Sequence, residues 1–342
     1  RQLLSGTHPG KLMLRRTIVG ALVGSVIALP LRIAAQQPPT SNVLGYLGQG
    51  SRAVELSPTG TLPVLLRNLR ELGYVEGQNL AVDARYANGR PEDLPMLAAQ
   101  LVKANPRVIV VGSAGLARAV LAHTHTIPVV AVHAGELEAE PQVQSLAKPG
   151  GNLTGMQLHS PELIGKRLQL LREVVTDLRR VVVLRGTPFD GPGLKLYIDA
   201  NDKAASELGI RARYVQFQKR ADLEKLFEEM KREGDEALLV WANPHLNDHR
   251  KEIFELTLRY RMPALYDVRG YPEELLVYEA SRDPVQREAA TYVDKILKGA
   301  KLGDLPIGQA KTFQLTVNLR TAKALGLNIP RSVLLRADDV IQ

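Results

Sequence analysis

The segment of this 342-residue chain most similar to a phosphate-binding loop reads GQGSRA at residues 48–53. The spacing Gly-x-Gly-x-x-Ala after a strand is typical of dinucleotide sites, where a helix must start at once so that its N-terminus meets the pyrophosphate. Here Pro58 and Gly60 are expected to delay the helix, and no acidic residue follows about 20 positions later at a strand end. We therefore expect no nucleotide cofactor at this segment.

The histidine and carboxylate side chains do not form a recognisable catalytic or metal site. His245 and His249 are spaced i and i+4 on a predicted helix, which can bind a metal, but their polar neighbours favour a solvated helix start. Glu136, Glu138 and Glu140 are predicted to form a solvated loop, apart from Glu136. The chain has no cysteine, which excludes disulfides, thiolate metal sites and cysteine nucleophiles. The sequence predicts neither an enzyme nor a cofactor.

Loops that follow buried apolar runs carry the candidate ligand-binding residues, because ligands of open α/β sheets bind outside the carboxyl ends of the strands. Ser113 precedes a helix predicted to begin near Gly115, where free backbone N–H groups could hold a carboxylate. Phe189 or Tyr266 could stack on an apolar part of a solute. For any one of these residues, ordinary loop solvation remains an open interpretation. The predicted set is Gln49, Ser51, Arg52, Ser113, Ala114, His133, Glu136, Thr187, Phe189, Asp190, Asn243 and Tyr266.

Short apolar runs predict the strands that would position these loops. Continuous runs of this kind are typical of strands buried on both faces, as in parallel sheets. Between them, apolar residues recur at i, i+3, i+4 and i+7 from Leu62, Leu94 and Leu223, which predicts amphipathic helices. Strand and helix alternate, so we predict an α/β fold with parallel sheets flanked by helices. The runs are Val43–Leu47, Val108–Val111, Val129–Val132, Val181–Leu184 and Ala237–Val240.

The two halves of the chain carry matching signals at similar spacing. The tripeptide ELG closes a predicted helix at residues 71–73 and again at residues 207–209, 136 positions later. A proline opens a predicted strand after a helix at Pro128 and again at Pro263, 135 positions later. The sequence therefore predicts two similar α/β lobes.

Residues 148–155, KPGGNLTG, are predicted to form a flexible segment almost midway along the chain. Glycine admits backbone angles closed to other residues, and hinges absorb such changes when domains close on a ligand. A plain surface turn is the alternative. The repeat on either side favours the hinge.

The positive charge of the chain is concentrated at its N-terminus. The formal net charge is +8, but residues 1–35 hold five of the 44 basic residues and none of the 36 acidic ones, which leaves 39 against 36. Arg15 and Arg16, an apolar run from Ile18 to Leu29 and a small residue at Ala35 predict a secretory signal peptide. We expect an exported, periplasmic protein without a nucleic-acid partner.

Several motifs, in order along the chain, resemble the large bacterial family of ABC-transporter substrate-binding proteins. Together they cover nearly everything after the predicted signal peptide. They read GYVEGQNL at 73–80, KPGGNLTG at 148–155, KRLQLLRE at 166–173, YVDKILKG at 292–299 and VNLRTAKALGL at 317–327.

The resemblance implies the type I periplasmic-binding-protein fold, in which two α/β lobes joined by three crossing strands close on a small solute. It also implies an ABC permease in the inner membrane as the partner of a monomeric receptor. The predicted domains are a signal peptide at 1–35, an N-terminal lobe at 41–157 plus 277–308, and a C-terminal lobe at 158–276 plus 309–342.

Departures from the family pattern affect the ligand loops. Glu136-Leu137 replaces a common Asp-Pro and keeps a carboxylate that could pair with a ligand amine. Residues 186–190, GTPFD, replace an Asn-Pro-rich loop, and Glu273-Glu274 replaces Gly-Gly before the last crossing strand. An amino acid or related zwitterion is the expected solute. A ligand sensor for a membrane signalling partner, or a two-lobed enzyme, remains an alternative.

Overall fold

The computed structural model describes residues 42–135, 137–158, 161–186, 192–241 and 244–342. For five of these residues, 161, 162, 192, 244 and 245, it describes only the backbone. The predicted signal peptide lies outside these ranges. Within them, no helix is both long enough and apolar enough to cross a membrane.

Strands and helices alternate through most of the described chain. The strands are β1 (Asn42–Gly48), β2 (Leu80–Tyr86), β3 (Val108–Val111), β4 (Val129–Ala134), β5 (Leu153–Gln157), β6 (Arg180–Arg185), β7 (Arg211–Gln216), β8 (Ala237–Trp241), β9 (Ala264–Tyr266), β10 (Leu276–Ala280), β11 (Gly308–Gln309), β12 (Phe313–Asn318) and β13 (Asp339–Ile341). The α-helices are α1 (Arg52–Glu55), α2 (Thr61–Glu71), α3 (Leu94–Lys103), α4 (Ala114–Leu121), α5 (Pro161–Val174), α6 (Pro192–Glu207), α7 (Leu223–Arg232), α8 (Pro244–Asp248), α9 (Arg250–Arg259), α10 (Arg282–Leu297), α11 (Leu319–Leu325) and α12 (Arg331–Leu334).

The first lobe is built on a parallel sheet with the strand order β11-β5-β4-β3-β1-β2. Successive residues of β3 point to opposite faces of this sheet. Val108 and Val110 pack with α2 and α10, whereas Ile109 and Val111 pack with α3 and α4. Because both faces are covered, the strand has no polar position, which is why it forms an uninterrupted apolar run.

The second lobe is built on a sheet with the order β13-β12-β10-β9-β8-β6-β7, in which β10 and β12 pair antiparallel and the other pairs are parallel. Val181 and Val183 of β6 pack with α5 and α6, and Val182 and Leu184 pack with α7 and α9. The predicted α/β fold class, with two sheets flanked by helices, is confirmed.

The chain passes from one lobe to the other after β5, after β10 and after β11. β10 pairs with β9 and β12 and so belongs to the second sheet. This placement differs from the predicted ranges, which put residues 277–280 in the first lobe. The return to the first lobe occurs at Ser281, the residue before α10, whose apolar face packs on α2.

The internal repeat is visible in matching helix ends and strand starts. α2 and α6 end at Glu71 and Glu207, and the glycines two positions later have φ values of 92° at Gly73 and 67° at Gly209. Left-handed angles of this kind favour glycine at the end of a helix. Pro128 and Pro263 immediately precede β4 and β9.

The hinge prediction for residues 148–155 was wrong, because this segment lies wholly within the first lobe. Gln144 N donates to Pro149 O at 3.0 Å, and the turn leads directly into β5. Gly155 pairs with β4 so closely that a Cβ there would lie 2.0 Å from the carbonyl oxygen of Ala131. The glycines therefore serve a tight turn and a close strand contact, and the passage between lobes follows β5.

Candidate functional site

A cavity of about 580 Å³ is lined by residues of both lobes. In the first lobe its walls include Gln49, Gly112 and Gly135, which directly follow β1, β3 and β4. In the second lobe they include Trp241, the last residue of β8, and Asp267, the residue after β9. The cavity therefore lies at the carboxyl ends of both parallel sheets, where ligands of α/β proteins bind.

The predicted ligand residues fall into three groups in the structure. Gln49, Ser113, Ala114 and His133 line the cavity. Ser51, Arg52 and Tyr266 do not line it. Five predicted residues lie outside the described parts of the chain and are not placed: Glu136, Thr187, Phe189, Asp190 and Asn243.

The three residues that miss the cavity have other structural surroundings. Ser51 is the N-cap of α1, and its Oγ accepts a hydrogen bond from Val54 N at 3.3 Å. Arg52 begins the same short helix and is exposed. Tyr266 is fully buried in the second lobe, with the guanidinium of Arg250 4.5 Å from its ring centroid. Tyr266 is the last residue of β9 and its side chain points into the core, so the next residue, Asp267, lines the cavity instead.

Several cavity residues were not predicted from the sequence. Most of them lie within helices or at a strand end, whereas the prediction searched only the loops that follow strands. Trp241 had a usable signal, because it directly ends the apolar run of β8. The unpredicted polar and aromatic residues are Tyr46, Glu55, Thr61, Arg118, Glu140, Tyr197, Trp241, Asn247, Asp267 and Arg282.

The N-terminus of α4 forms one polar part of the wall. Ser113 is its N-cap, and its Oγ accepts from Leu116 N at 3.3 Å. The first N–H groups of a helix have no acceptor within the helix, and they carry the positive end of its dipole. A Cβ at Gly115 would lie 3.8 Å from Nη2 of Arg118, so this guanidinium lies near the first turn of the same helix. These positive groups suit a carboxylate.

Glu140 is a buried carboxylate in the cavity wall, and its predicted solvated position was wrong. Its side chain is only 2% exposed. The 3₁₀ helix Leu137–Ala139 turns the chain inward just before it, with Glu140 N donating to Leu137 O at 3.0 Å. Oε1 lies 3.4 Å from Arg118 Nε, whereas Oε2 is buried and has no hydrogen-bond partner in the described part of the protein. Burial raises the pKa of this carboxyl, and Arg118 opposes the rise.

The second lobe contributes aromatic rings and a further carboxylate. Tyr197 of α6 and Trp241 meet edge to face, with ring centroids 5.1 Å apart and an interplanar angle of 74°. Tyr214 supports Trp241 from β7 at 5.8 Å. Asp267 is 2% exposed, and its backbone oxygen accepts from Nη2 of the fully buried Arg167 at 3.1 Å. This wall can pack against an apolar or aromatic group.

The Gly-x-Gly segment is filled by a carboxylate of the protein itself. Gly50 N donates to Glu55 Oε1 at 2.9 Å, and Tyr46 Oη donates to Glu55 Oε2 at 2.6 Å. Burial, followed by the Glu55 charge, raises the pKa of Tyr46. Only the four-residue helix α1 begins at Arg52, and the long helix α2 begins at Thr61, after the delay expected from Pro58 and Gly60. The Gly50 N–H group that a phosphate-binding loop would offer to a ligand is therefore already bound to Glu55.

His133 is held by residues of the first lobe. Its Nδ1 lies 3.4 Å from Thr61 Oγ1, and its Nε2 lies 3.0 Å from Gln286 Nε2 of α10. These contacts fix the ring in the wall near α10, which follows the return crossing. No group of three or more His, Cys, Asp or Glu side chains that could hold a metal occurs within the described ranges.

The sequence of this chain is similar to that of known proteins. The sequence profile described as "ABC transporter substrate binding protein" matches residues 64–341. A protein called "Tyrosine-binding protein" from Clostridioides difficile is 21% identical over 269 residues, which cover 77% of this chain and 75% of that protein.

Two solved structures have the same fold. One is a conserved domain protein from Vibrio cholerae, with a TM-score of 0.79 and 24% identity over 88% of this chain and 99% of that chain. The other is an ABC domain from Streptococcus pneumoniae in complex with L-Trp, with a TM-score of 0.79 and 20% identity over 88% of this chain and 100% of that chain. The architecture is that of the type I periplasmic-binding proteins. Because the profile covers most of the chain, this protein belongs to the ABC transporter substrate binding protein family.

Proposed function

We propose that this protein captures an amino acid in the cavity between its lobes and delivers it to an ABC permease. One observation carries the proposal: the cavity combines a positive helix N-terminus, buried carboxylates and an aromatic wall. The first lobe supplies Ser113 and Glu140, and the second supplies Tyr197, Trp241 and Asp267. A zwitterion with an apolar side chain matches all three parts of this wall.

The charged ends of an amino acid need partners of opposite sign once they leave water. Desolvating a charged group costs several kcal/mol or more unless it is paired and hydrogen-bonded. The first turn of α4, with Arg118 beside it, suits the carboxylate, and the buried carboxylates suit the ammonium group. Electrostatic matching of this kind would select a zwitterion over a sugar or a simple anion.

The side chain of the ligand is proposed to be apolar or aromatic. Tyr197 and Trp241 offer ring faces and edges, and aromatic pairs gain energy in offset or edge-to-face geometry. The cavity volume of about 580 Å³ lies within the range of roughly 300–1,000 Å³ typical of small-molecule sites. The relatives named for tyrosine and solved with L-Trp support the same class.

Binding is proposed to accompany closure of the lobes, with residues 42–157 and 281–309 forming one lobe and residues 158–280 and 310–342 the other. The 3₁₀ helix Leu137–Ala139 of the first lobe contacts α6 of the second, so the lobes also touch away from the connecting segments. Closure of this kind covers a ligand and presents a new surface to a partner. Glu136, Thr187, Phe189, Asp190 and Asn243 remain proposed ligand residues.

The cellular setting is proposed from the sequence and the family. The chain would be exported by its N-terminal signal, cleaved near Ala35, and would act as a monomer in the periplasm beside an inner-membrane permease. Catalysis is not part of the proposal.

The test is a thermal-shift screen of the mature protein against the twenty common L-amino acids, with sugars and purines as controls. A ligand that binds only the folded state raises the unfolding temperature by mass action. We expect saturable stabilisation by apolar or aromatic L-amino acids, confirmed by calorimetric titration. Stabilisation by sugars or purines alone, or by no amino acid, would refute the proposal.

A further inference from the structure

We propose that Glu140 receives the ammonium group of the ligand through its Oε2 oxygen. This inference rests on the proposed function, and it identifies the residue that makes the cavity selective for an amine. The sequence pattern had pointed to Glu136 for this contact.

The Glu140 carboxylate is buried in the cavity wall and has one oxygen without a partner in the described part of the protein. Its side chain is 98% buried, and Oε2 has no hydrogen-bond donor among the described residues. Buried polar atoms in folded proteins are almost always hydrogen-bonded, and an unsatisfied one costs free energy. A donor supplied by the ligand would remove this cost, so the cavity gains from an N–H group at that point.

Arg118 lies between the proposed carboxylate site and the proposed ammonium site. Its guanidinium lies near Gly115 at the first turn of α4, and its Nε lies 3.4 Å from Oε1 of Glu140. The positive helix end and the negative Glu140 are therefore neighbours in one wall. The ammonium and carboxylate groups of an amino acid are bonded to the same carbon atom, so an amino acid suits neighbouring sites of opposite charge.

The other carboxylates in the wall are less suited to the ammonium group than Glu140. Both oxygens of Glu55 are already engaged, by Gly50 N and Tyr46 Oη. Asp267 is buried in the opposite lobe, beside the aromatic wall. Glu140 lies in the same lobe as α4, and it has the unsatisfied oxygen.

The test compares each amino acid with the acid that lacks only the amino group. The probes are L-tryptophan with indole-3-propionate, L-tyrosine with 3-(4-hydroxyphenyl)propionate, L-phenylalanine with 3-phenylpropionate and L-leucine with 4-methylpentanoate. Dissociation constants are measured by calorimetry for the wild type, Glu140→Gln, Asp267→Asn and the control Glu138→Gln. Glu138 is an exposed neighbour two residues from Glu140, and its Oε2 accepts from Gln157 Nε2, a hydrogen bond that the amide oxygen of glutamine can also accept.

The wild type is expected to prefer the amino acid over its deaminated partner by about 30-fold or more, the effect of one charge-assisted hydrogen bond. Glu140→Gln should lower this preference by about tenfold or more, mainly by weakening binding of the amino acid. Glu138→Gln should behave as the wild type. Circular dichroism verifies that each variant is folded.

Three results would overturn the inference while leaving the proposed function intact. The wild type could bind the amino acid and its deaminated partner equally, a result that needs no variant. Glu140→Gln could keep the full preference. Asp267→Asn could lose the preference while Glu140→Gln keeps it. If no probe amino acid binds the wild type, the proposed function itself fails.

Discussion

Arg250 and Glu274 form a buried ion pair behind the cavity wall. Their side chains are 5% and 0% exposed, and the guanidinium contacts both carboxylate oxygens, with Nη2 3.1 Å from Oε2. The same Nη2 donates to the backbone oxygen of Val268, which lines the cavity. Glu274 is one of the two residues that depart from the Gly-Gly of the family pattern, so in this chain the departure fixes the loop that carries Val268.

Glu274→Gln is expected to destabilise the protein by about 3–5 kcal/mol, because it leaves the buried Arg250 charge without its counter-ion. Glu273→Gln is the matched control, since Glu273 is exposed and adjacent in the chain. Urea unfolding followed by circular dichroism measures both variants. Equal stability of the two variants would show that the ion pair contributes nothing.

Replacing Glu140 is expected to have the opposite effect, because its partner Arg118 is partly exposed and does not need the counter-ion that the buried Arg250 needs. Burial raises its pKa, so the folded state holds this proton at pH values where the unfolded chain has released it. The free energy of unfolding therefore falls as the pH rises from the ordinary glutamate pKa through the raised pKa. At lower pH the carboxyl is protonated in both the folded and the unfolded state, so this penalty is absent. Glu140→Gln cannot ionise and avoids this penalty.

We therefore expect unliganded Glu140→Gln to unfold at a higher temperature than the wild type at pH 8, and at an equal temperature near pH 4. Thermal unfolding across this pH range measures the difference. A variant less stable than the wild type at pH 8 would show that the Arg118 ion pair outweighs the burial of the carboxylate.

At the scale of single elements, strands and helix ends were predictable and the glycine-rich segment was not. The apolar runs became β1, β3, β4, β6 and β8 because both faces of each sheet are covered. Residues 148–155 misled the prediction because a turn, a close strand contact and a hinge all call for glycine. Only the strand pairing distinguishes them.

The candidate site was predictable only in part, for a related reason. Loops after strands supplied Gln49 and Ser113, as the sheet topology requires, whereas His133 lines the cavity from within β4. Glu140 was missed because its burial depends on a single 3₁₀ turn, and Asp267 was missed because Tyr266, predicted to contact the ligand, is instead the last residue of β9. Burial of one charged residue is set by tertiary packing, which periodicity does not encode.

Gly155→Ala is expected to destabilise the first lobe by about 3 kcal/mol or more, because the added Cβ would overlap the carbonyl of Ala131 in β4 and separate the paired strands. Gly77→Ala is the control. Gly77 has a φ of 81° and open space around it, so the added methyl should cost only about 1–2 kcal/mol of backbone strain. Chemical denaturation of both variants provides the comparison, and similar losses would refute the steric explanation.

At the scale of the whole molecule, function depends on how the lobes meet over the cavity. A Cβ at Gly135 of the first lobe would lie 3.9 Å from Cε2 of Tyr197 in the second lobe, an ordinary contact distance. An alanine there fits the space, whereas a larger side chain would reach the ring of Tyr197. A large side chain at position 135 is therefore expected to keep the lobes apart.

Gly135→Leu is expected to weaken binding of the best non-fluorescent amino acid by about tenfold or more, because the lobes must stay apart to accommodate the leucine side chain. Gly135→Ala should bind as the wild type does. Trp241 is the one tryptophan of the chain and is 1% exposed in the cavity wall, so its emission reports on water near the site. In the wild type and Gly135→Ala, ligand beside Trp241 should change this emission, and in Gly135→Leu the change should be smaller. Tight binding with the same emission change in Gly135→Leu would show that the ligand is held without contact between Gly135 and Tyr197.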